Sequence, residues 1–144
     1  MAVHFHFIKS CRLPDRRRLK AFIPGIFPAY GYSLCDLQVV FCDDKYLLKM
    51  NKQFLQHDYY TDIITFDLSN DPAIKTGELY ISVDRVKENA ASQNVDFITE
   101  LHRVIFHGIL HLCDLKDKSK KEAREIRAKE DKLLGQYLDV PRGT

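Results

Sequence analysis

Residues 106–117 read Phe-His-Gly-Ile-Leu-His-Leu-Cys-Asp-Leu-Lys-Asp, and the fold of this chain is organised around this stretch. At roughly 100° per residue, His111 lies about 40° around a helix from His107. Both imidazoles therefore project from one helix face, a turn apart, where they can meet a single metal ion. Asp114 and Asp117 follow as candidates for a third ligand.

A buried helix whose histidines only bond to neighbouring backbone groups would show the same spacing. Three features favour a metal site. Gly108 is a poor helix former, costing about 1 kcal/mol relative to Ala, and we expect it to leave space for a substrate. A carboxylate follows closely enough for a turn to bring it back. The surrounding helix is apolar almost all round, so it is buried, and buried imidazoles need partners.

The motif is not that of a metalloprotease, which has glutamate directly after the first histidine where this chain has Gly108. Any metal-activated water therefore has its general base elsewhere, or the metal alone activates it.

The composition predicts a globular protein with one domain, 1–144. The net charge of +2, from 22 basic and 20 acidic residues, does not demand a nucleic-acid partner, so any such surface must be local. Four cysteines without a Cys-x-x-Cys pair predict reduced, buried thiols in a cytoplasmic protein. No apolar run approaches the roughly 18 residues of a membrane span, so we expect no membrane association.

The hydrophobic periodicity predicts an α+β fold, with a mixed four-stranded sheet packed with about five helices. Asp43 and Asp96 are expected to cap the helices that follow them. We expect a turn near Pro24-Gly25 and the end of the ordered chain at Pro141. Strands are predicted at 3–8, 34–42, 63–68 and 77–82, and helices at about 14–23, 44–55, 83–93, after Asp96, and at 119–134.

Several polar residues are candidates for binding a substrate, and each has a simpler explanation. The cluster Arg16, Arg17 and Arg18 could contact phosphates or could form a solvated helix face. Thr61, Asp62 and Thr65 could line a cleft or could reflect turn chemistry and strand surface. Tyr59 and Tyr60 could stack on bases. His4 and His6 are better explained as the solvated face of a strand than as metal ligands.

Three segments together resemble the YbeY family of bacterial metal-dependent endoribonucleases. These segments occur in the family's order and spacing: Asn51…Thr61-Asp62-Ile63-Ile64-Thr65-Phe66, Gly77-Glu78-Leu79-Tyr80-Ile81-Ser82, and His107-Gly108-Ile109-Leu110-His111-Leu112. The resemblance implies a zincin-like α+β fold, one bound Zn²⁺ and single-stranded RNA as substrate. It also implies a role in late ribosomal RNA maturation, at the 3′ end of 16S rRNA on the small ribosomal subunit, and in ribosome quality control.

The chain departs from the family pattern at three positions. Asp117 stands where the family has a third histidine, and Asp114 stands where it has a turn glycine. Asp tolerates a left-handed turn, so a turn at 114 could present the Asp117 carboxylate, which is an ordinary zinc ligand. Leu55 replaces a family arginine thought to act on the substrate, and His57, Lys52 or a basic residue from another segment could substitute for it.

The expected chemistry is metal-assisted phosphodiester hydrolysis, with His107, His111 and Asp117 as the metal ligands and a fourth position for water. Two histidines and one carboxylate would also suit a non-haem iron oxygenase, although the helical spacing favours the nuclease. The alternative from a different class is a non-enzymatic ribosome-assembly factor with a structural metal. A closed four-ligand site would favour that alternative, and an open position would favour catalysis.

Overall fold

The computed structural model describes residues 2–138, so Met1 and residues 139–144, which include Pro141, lie outside it. The α+β architecture of four strands and five α-helices is confirmed, with one additional 3₁₀ helix. In chain order the elements are β1 (Val3–Phe7), α1 (Arg16–Phe22), the 3₁₀ helix (Ile23–Tyr30), β2 (Ser33–Cys42), α2 (Asp44–Leu55), β3 (Ile63–Asp67), β4 (Ile74–Ser82), α3 (Val83–Gln93), α4 (Phe97–Leu112) and α5 (Lys120–Leu138).

The strands form one mixed sheet in the order β1-β2-β4-β3. β1, β2 and β4 run parallel, and β3 returns antiparallel to β4, with Thr65 opposite Leu79. The two long strands, which are apolar along most of their length, therefore occupy the centre of the sheet. β3 forms an outer edge of the sheet, beside the end of α4.

Helix α4 is the central helix of the core. Asp96 caps it as expected, since its side chain accepts a hydrogen bond from the Thr99 backbone N–H. Leu101, Ile105 and Ile109 are fully buried against the sheet and its neighbouring helices. Such burial stabilises by about 1.5–3 kcal/mol per large aliphatic side chain, so α4 holds its histidines on a rigid support.

Gly108 has a packing role that differs from the role expected from sequence. It is buried, and a Cβ at this position would lie 2.6 Å from Ile63 Cδ1 and 3.0 Å from Leu79 Cδ2. Gly77 on β4 also allows close packing, because a Cβ at that position would lie only 2.8 Å from Leu112 Cδ1 of α4. The missing side chain at 108 thus lets α4 approach the sheet closely, and the expectation that it leaves space for a substrate is wrong.

Other departures from the predicted elements are local. The chain does not turn at Pro24-Gly25 but continues as the 3₁₀ helix, because Ile23, Ile26 and Phe27 are buried on one side of it and Pro is tolerated in a first turn. Cys42 and Cys113 are buried, and burial raises the pKa of each thiol to about 12. Cys35, by contrast, is exposed. Within residues 2–138, none of the helices has the combination of length and apolarity that crossing a membrane requires.

Candidate metal centre and cleft

Three side chains from the end of α4 and the loop after it converge on one point. His107 Nε2 lies 2.9 Å from His111 Nε2, and Asp117 Oδ2 lies 3.4 Å and 3.3 Å from these two nitrogens. Ligand atoms of a tetrahedral zinc with bonds of 2.0–2.1 Å are about 3.3–3.4 Å apart. The donor set and its spacing therefore fit a first-row metal ion.

The other ring nitrogen of His107 is held by a buried carboxylate. His107 Nδ1 donates to Glu130 Oε2 on α5 at 2.5 Å, and Glu130 is 3% exposed. Arg103 fixes that carboxylate by donating from Nη1 to Glu130 Oε1 at 3.1 Å. Burial alone would lower the pKa of His107, but the Glu130 hydrogen bond and the negative charges of Glu130, Asp117 and Asp62 together outweigh it, so the pKa is raised. The Nδ1–H bond leaves Nε2 as the nitrogen available to a metal.

The turn after α4 occurs at Asp114, as the sequence predicts. Asp114 has a φ of 70°, in the left-handed region. Its carboxylate accepts hydrogen bonds from the Tyr32 hydroxyl and, at 3.3 Å, from Lys75 Nζ. Lys75 is itself buried and also pairs with Asp67 at 2.9 Å. Asp114 is therefore tied to the sheet, and Asp117 is the aspartate brought to the two histidines.

Two cavities open on either side of the three converging residues. The larger, of about 640 Å³, runs along β3 and is lined by Thr61, Asp62 and Thr65. The smaller, of about 260 Å³, lies between α3, α4 and α5. Asp62, His107 and Asp117 line both cavities. The three residues proposed from sequence as cleft lining thus lie beside the candidate ligands.

Two carboxyl groups around the smaller cavity have perturbed acidity. Burial raises the pKa of Asp62, although His107 opposes the shift. Burial likewise raises the pKa of Glu100, which Arg103 and Arg127 oppose. Neither carboxyl forms an ion pair within the described part of the chain, and such groups concentrate at functional sites.

The arginine cluster lies apart from this cleft. Arg16 stacks on the ring of Phe7 at 4.2 Å, and Arg18 stacks on Tyr137 at the same distance and donates to the Tyr137 carbonyl. Arg17 is exposed. None of the three lines either cavity, so any contact they make with phosphates would be to a longer strand that extends beyond the cleft, and this stays a prediction.

Comparison with known proteins gives one consistent family. Residues 20–138 match the family model described as endoribonuclease YbeY. The chain belongs to this family. Endoribonuclease YbeY of Porphyromonas gingivalis is 50% identical over 83% of this chain and 78% of its own length. The protein of the same name from Cytophaga hutchinsonii is 48% identical over 85% of this chain and 86% of its own.

The fold agrees with a solved structure as well. The solution structure of TM1509 from Thermotoga maritima matches with a TM-score of 0.60 at 26% identity, over 96% of this chain and 94% of that one. As a member of the YbeY family the chain is a nuclease, and hence a hydrolase.

Leu55 replaces the arginine of the YbeY pattern and lies in the wall of the larger cavity. His57 and Tyr59 line the same wall, with rings stacked at 5.1 Å and the Tyr59 hydroxyl 2.9 Å from His57 Nδ1. Lys52 instead pairs with Asp58 at 3.2 Å, and Tyr60 packs against Arg85 at 5.0 Å. Of the substitutes suggested for the arginine, His57 is therefore the one that faces the cleft.

Sequence reasoning missed Glu130 and Glu100. Glu130 falls one turn after Ile126 and one turn before Leu133 and Leu134, on the buried stripe of α5. A charged residue on an apolar helix stripe was the available signal, because a buried charge needs a partner. Glu100 gives the same signal, because it lies one turn before Val104 on a buried face of α4.

Proposed function

We propose that this chain is a metal-dependent endoribonuclease that cleaves single-stranded RNA during ribosomal RNA maturation. The relatives named endoribonuclease YbeY support the RNA substrate. The observation that carries the proposal is the convergence of His107 Nε2, His111 Nε2 and Asp117 Oδ2, with mutual separations of 2.9–3.4 Å.

We assign these three side chains as the protein ligands of Zn²⁺. Among residues 2–138, no fourth His, Cys, Asp or Glu joins the group. Three protein ligands are typical of catalytic zinc, whereas structural zinc usually has four. This donor count favours the nuclease over an assembly factor with a purely structural metal. A bound divalent ion supplies Lewis-acid polarisation of a phosphoryl oxygen and a more acidic water.

The protein's own contribution is to orient and to bind. Glu130 holds His107 in one tautomer through the Nδ1–H bond, so the imidazole is preorganised. Thr61, Asp62 and Thr65 form a polar wall along β3 on which an RNA strand can lie. His57 and Tyr59 offer exposed aromatic faces at the rim of that wall, and base stacking on such faces is tolerant of sequence.

The family resemblance supports a proposal about the biological setting. We propose that the substrate is the 3′ end of 16S rRNA on the small ribosomal subunit, that the enzyme acts in the cytoplasm, and that it contributes to ribosome quality control.

The test is cleavage of matched RNAs by protein purified without chelators. A single-stranded RNA containing the 3′ end of 16S rRNA should be cut, and the same RNA annealed to its complement should resist. Removing the metal should abolish cutting, and Zn²⁺ should restore it. His107→Ala, purified in parallel, controls for contaminating nucleases. Cleavage at an undiminished rate by metal-free protein would refute the proposal.

A further inference from the structure

The two cavities beside the candidate ligands differ in chemistry. The larger has aromatic, aliphatic, hydroxyl and carboxylate side chains, including Tyr59, Thr65 and Asp67, but no arginine or lysine from the described part of the chain. The smaller is lined by carboxylates, amides and guanidinium groups around an apolar floor of Val104 and Ile126. Because the cavities meet at the ligands, a strand that crosses the centre would have nucleotides on both sides. Of the two, only the smaller cavity combines carboxylates with guanidinium groups of residues 2–138, those of Arg103 and Arg127.

Glu100 is the strongest indication that the smaller cavity accepts a ligand. It lines the cavity, is 4% exposed, and its Oε1 has no hydrogen-bond partner in the described structure. The nearby Arg103 is already engaged by Glu130 at 3.1 Å and by Asp131 at 2.7 Å. A buried carboxylate without a donor is costly, so Glu100 lacks a hydrogen-bond donor that a ligand would provide.

The remaining polar groups restrict the kind of ligand. Asn89 and Gln93 line the cavity from α3, and Arg127 lines it from α5. The Arg127 side chain is 52% exposed, donates a hydrogen bond to Gln93 Oε1 at 3.4 Å and pairs with Glu130 Oε1 at 4.0 Å. Within residues 2–138, the only group of three potential metal ligands is the His107, His111 and Asp117 set. The cavity therefore lacks a compact cation cage and suits a planar ligand with donors and acceptors on its rim.

We propose that this cavity binds the guanine base of the nucleotide next to the scissile phosphodiester, a proposal that rests on the nuclease function above. Glu100 accepts from guanine N1–H and the N2 amino group, and Arg127 donates to O6 or N7. Proteins read unstacked RNA bases on these edges, and arginine pairs with O6 and N7 of guanine. The cavity volume of 260 Å³ is below the roughly 300–1,000 Å³ of drug-sized ligand sites, which suits one base.

Guanine fits this arrangement better than the other three bases. Its Watson–Crick edge presents two adjacent donors, so both can bond to one carboxylate. Cytosine and adenine present one amino donor beside a ring acceptor, which would face the carboxylate unfavourably. Uracil presents a single N3–H between two carbonyls. Each wrong base thus leaves Glu100 partly unpaired, which is the basis of strong discrimination.

Mapping the cuts in a single-stranded RNA library of random sequence tests the proposal. The parent protein should prefer guanine at one position next to the cut, by at least about fivefold. Glu100→Gln and Arg127→Gln should each reduce that preference. Glu125→Gln is the matched control, because Glu125 lies outside both cavities and its side chain is 61% exposed. Random cutting by the parent would overturn the guanine pocket and leave the nuclease function intact.

A binding measurement separates failure of the pocket from failure of the nuclease. Guanosine 5′-monophosphate, titrated into ¹⁵N-labelled protein, should shift the amide signals of Asn89, Gln93 and Glu100 more than the other three nucleotides do. Glu100→Gln should weaken this binding at least about fivefold, with its fold checked by circular dichroism. Equal shifts for all four nucleotides, or shifts confined to other regions, would overturn the proposal even if no RNA were cleaved.

Discussion

The two halves of α4 each place a histidine against the protein interior, with opposite consequences. His102 is fully buried, and its Nδ1 donates to the Ile98 carbonyl at 2.7 Å, whereas its Nε2 has no hydrogen-bond partner among residues 2–138. Burial lowers its pKa. His107, five residues later, donates to Glu130 and has a raised pKa. The acidic partner, rather than burial in an apolar helix, distinguishes the histidine of the candidate site from the histidine of the core.

Removing a proposed metal ligand should have the largest effect, because it should lower metal content while substitution of His102 in the other half of α4 should not. His107→Ala or His111→Ala should lower zinc affinity by more than the roughly 10- to 100-fold that loss of an outer hydrogen-bond partner costs. Metal content by mass spectrometry gives the result, and circular dichroism reports the fold. His102→Asn is the control and should keep one metal per chain. Full metal content in both alanine variants would show that the ligands lie elsewhere.

The third ligand can be tested with two neighbouring aspartates. Asp117→Ala should reduce zinc affinity and cleavage sharply, and Asp117→His should retain the metal, because imidazole is also a zinc ligand. Asp114→Gly should be tolerated, since glycine adopts a φ of 70° without strain. Isothermal titration with Zn²⁺ compares the three variants. If Asp114→Gly loses the metal while Asp117→Ala keeps it, the assignment must be reversed.

Loss of the Glu130 carboxylate, which holds His107, should reduce zinc affinity less than loss of a ligand does. Its effect should still exceed that of a change in core packing. Glu130→Gln keeps the shape and one acceptor while removing the charge, so zinc affinity should fall by about 10- to 100-fold. Asp131→Asn is a matched control, because Asp131 also binds Arg103 but does not contact His107. Equal losses of affinity in both variants would attribute the effect to Arg103 rather than to the carboxylate on His107.

Packing at Gly108 should affect stability without contributing a ligand. Overpacking costs about 1–3 kcal/mol, and replacing a helical glycine by alanine returns about 1 kcal/mol. Gly108→Ala should therefore lower the free energy of unfolding modestly in urea denaturation. Adding Ile63→Val removes the Cδ1 atom that lies 2.6 Å from the new Cβ, so the double variant should recover part of the loss. If the losses of stability from the two substitutions simply add, the new Cβ does not clash with Ile63.

His102 should give the smallest effect, in the pH dependence of stability. Its folded pKa is below the unfolded value of about 6.5, so the unfolded chain binds one more proton as the pH falls below that value. Stability is therefore lost on acidification, by at most about 1.4 kcal/mol per pH unit. Urea denaturation at pH 7.5, 6.5 and 5.5 gives the free energy of unfolding. Its dependence on pH should be weaker for His102→Asn than for the parent. Identical slopes would mean that His102 titrates normally.

Local chemistry explains which elements could be predicted from the sequence. The predicted bounds of α2 and α3 agree with the structure, and α2 and α4 begin directly after the caps Asp43 and Asp96. The face shared by His107 and His111 follows from helical periodicity alone. The turn at Asp114 could be anticipated because few side chains tolerate a left-handed conformation.

The features that could not be predicted depend on distant segments. Glu130 lies 23 residues after His107, so their contact exists only once α5 has packed on α4. Gly108 gives the same local signal whether it faces a substrate or the side chains of Ile63 and Leu79. Sequence likewise does not reveal which side of the molecule α1 covers, and so where Arg16 and Arg18 lie.

The order of strands in the sheet also affects how the chain resists aggregation. The outer strands β1 and β3 have five residues each, whereas the inner strands β2 and β4 have ten and nine. Short outer strands offer few unpaired backbone groups to another unfolded chain, which limits strand-to-strand association during synthesis or heating. Short outer strands therefore limit aggregation of a protein whose larger cavity runs along the outer strand β3.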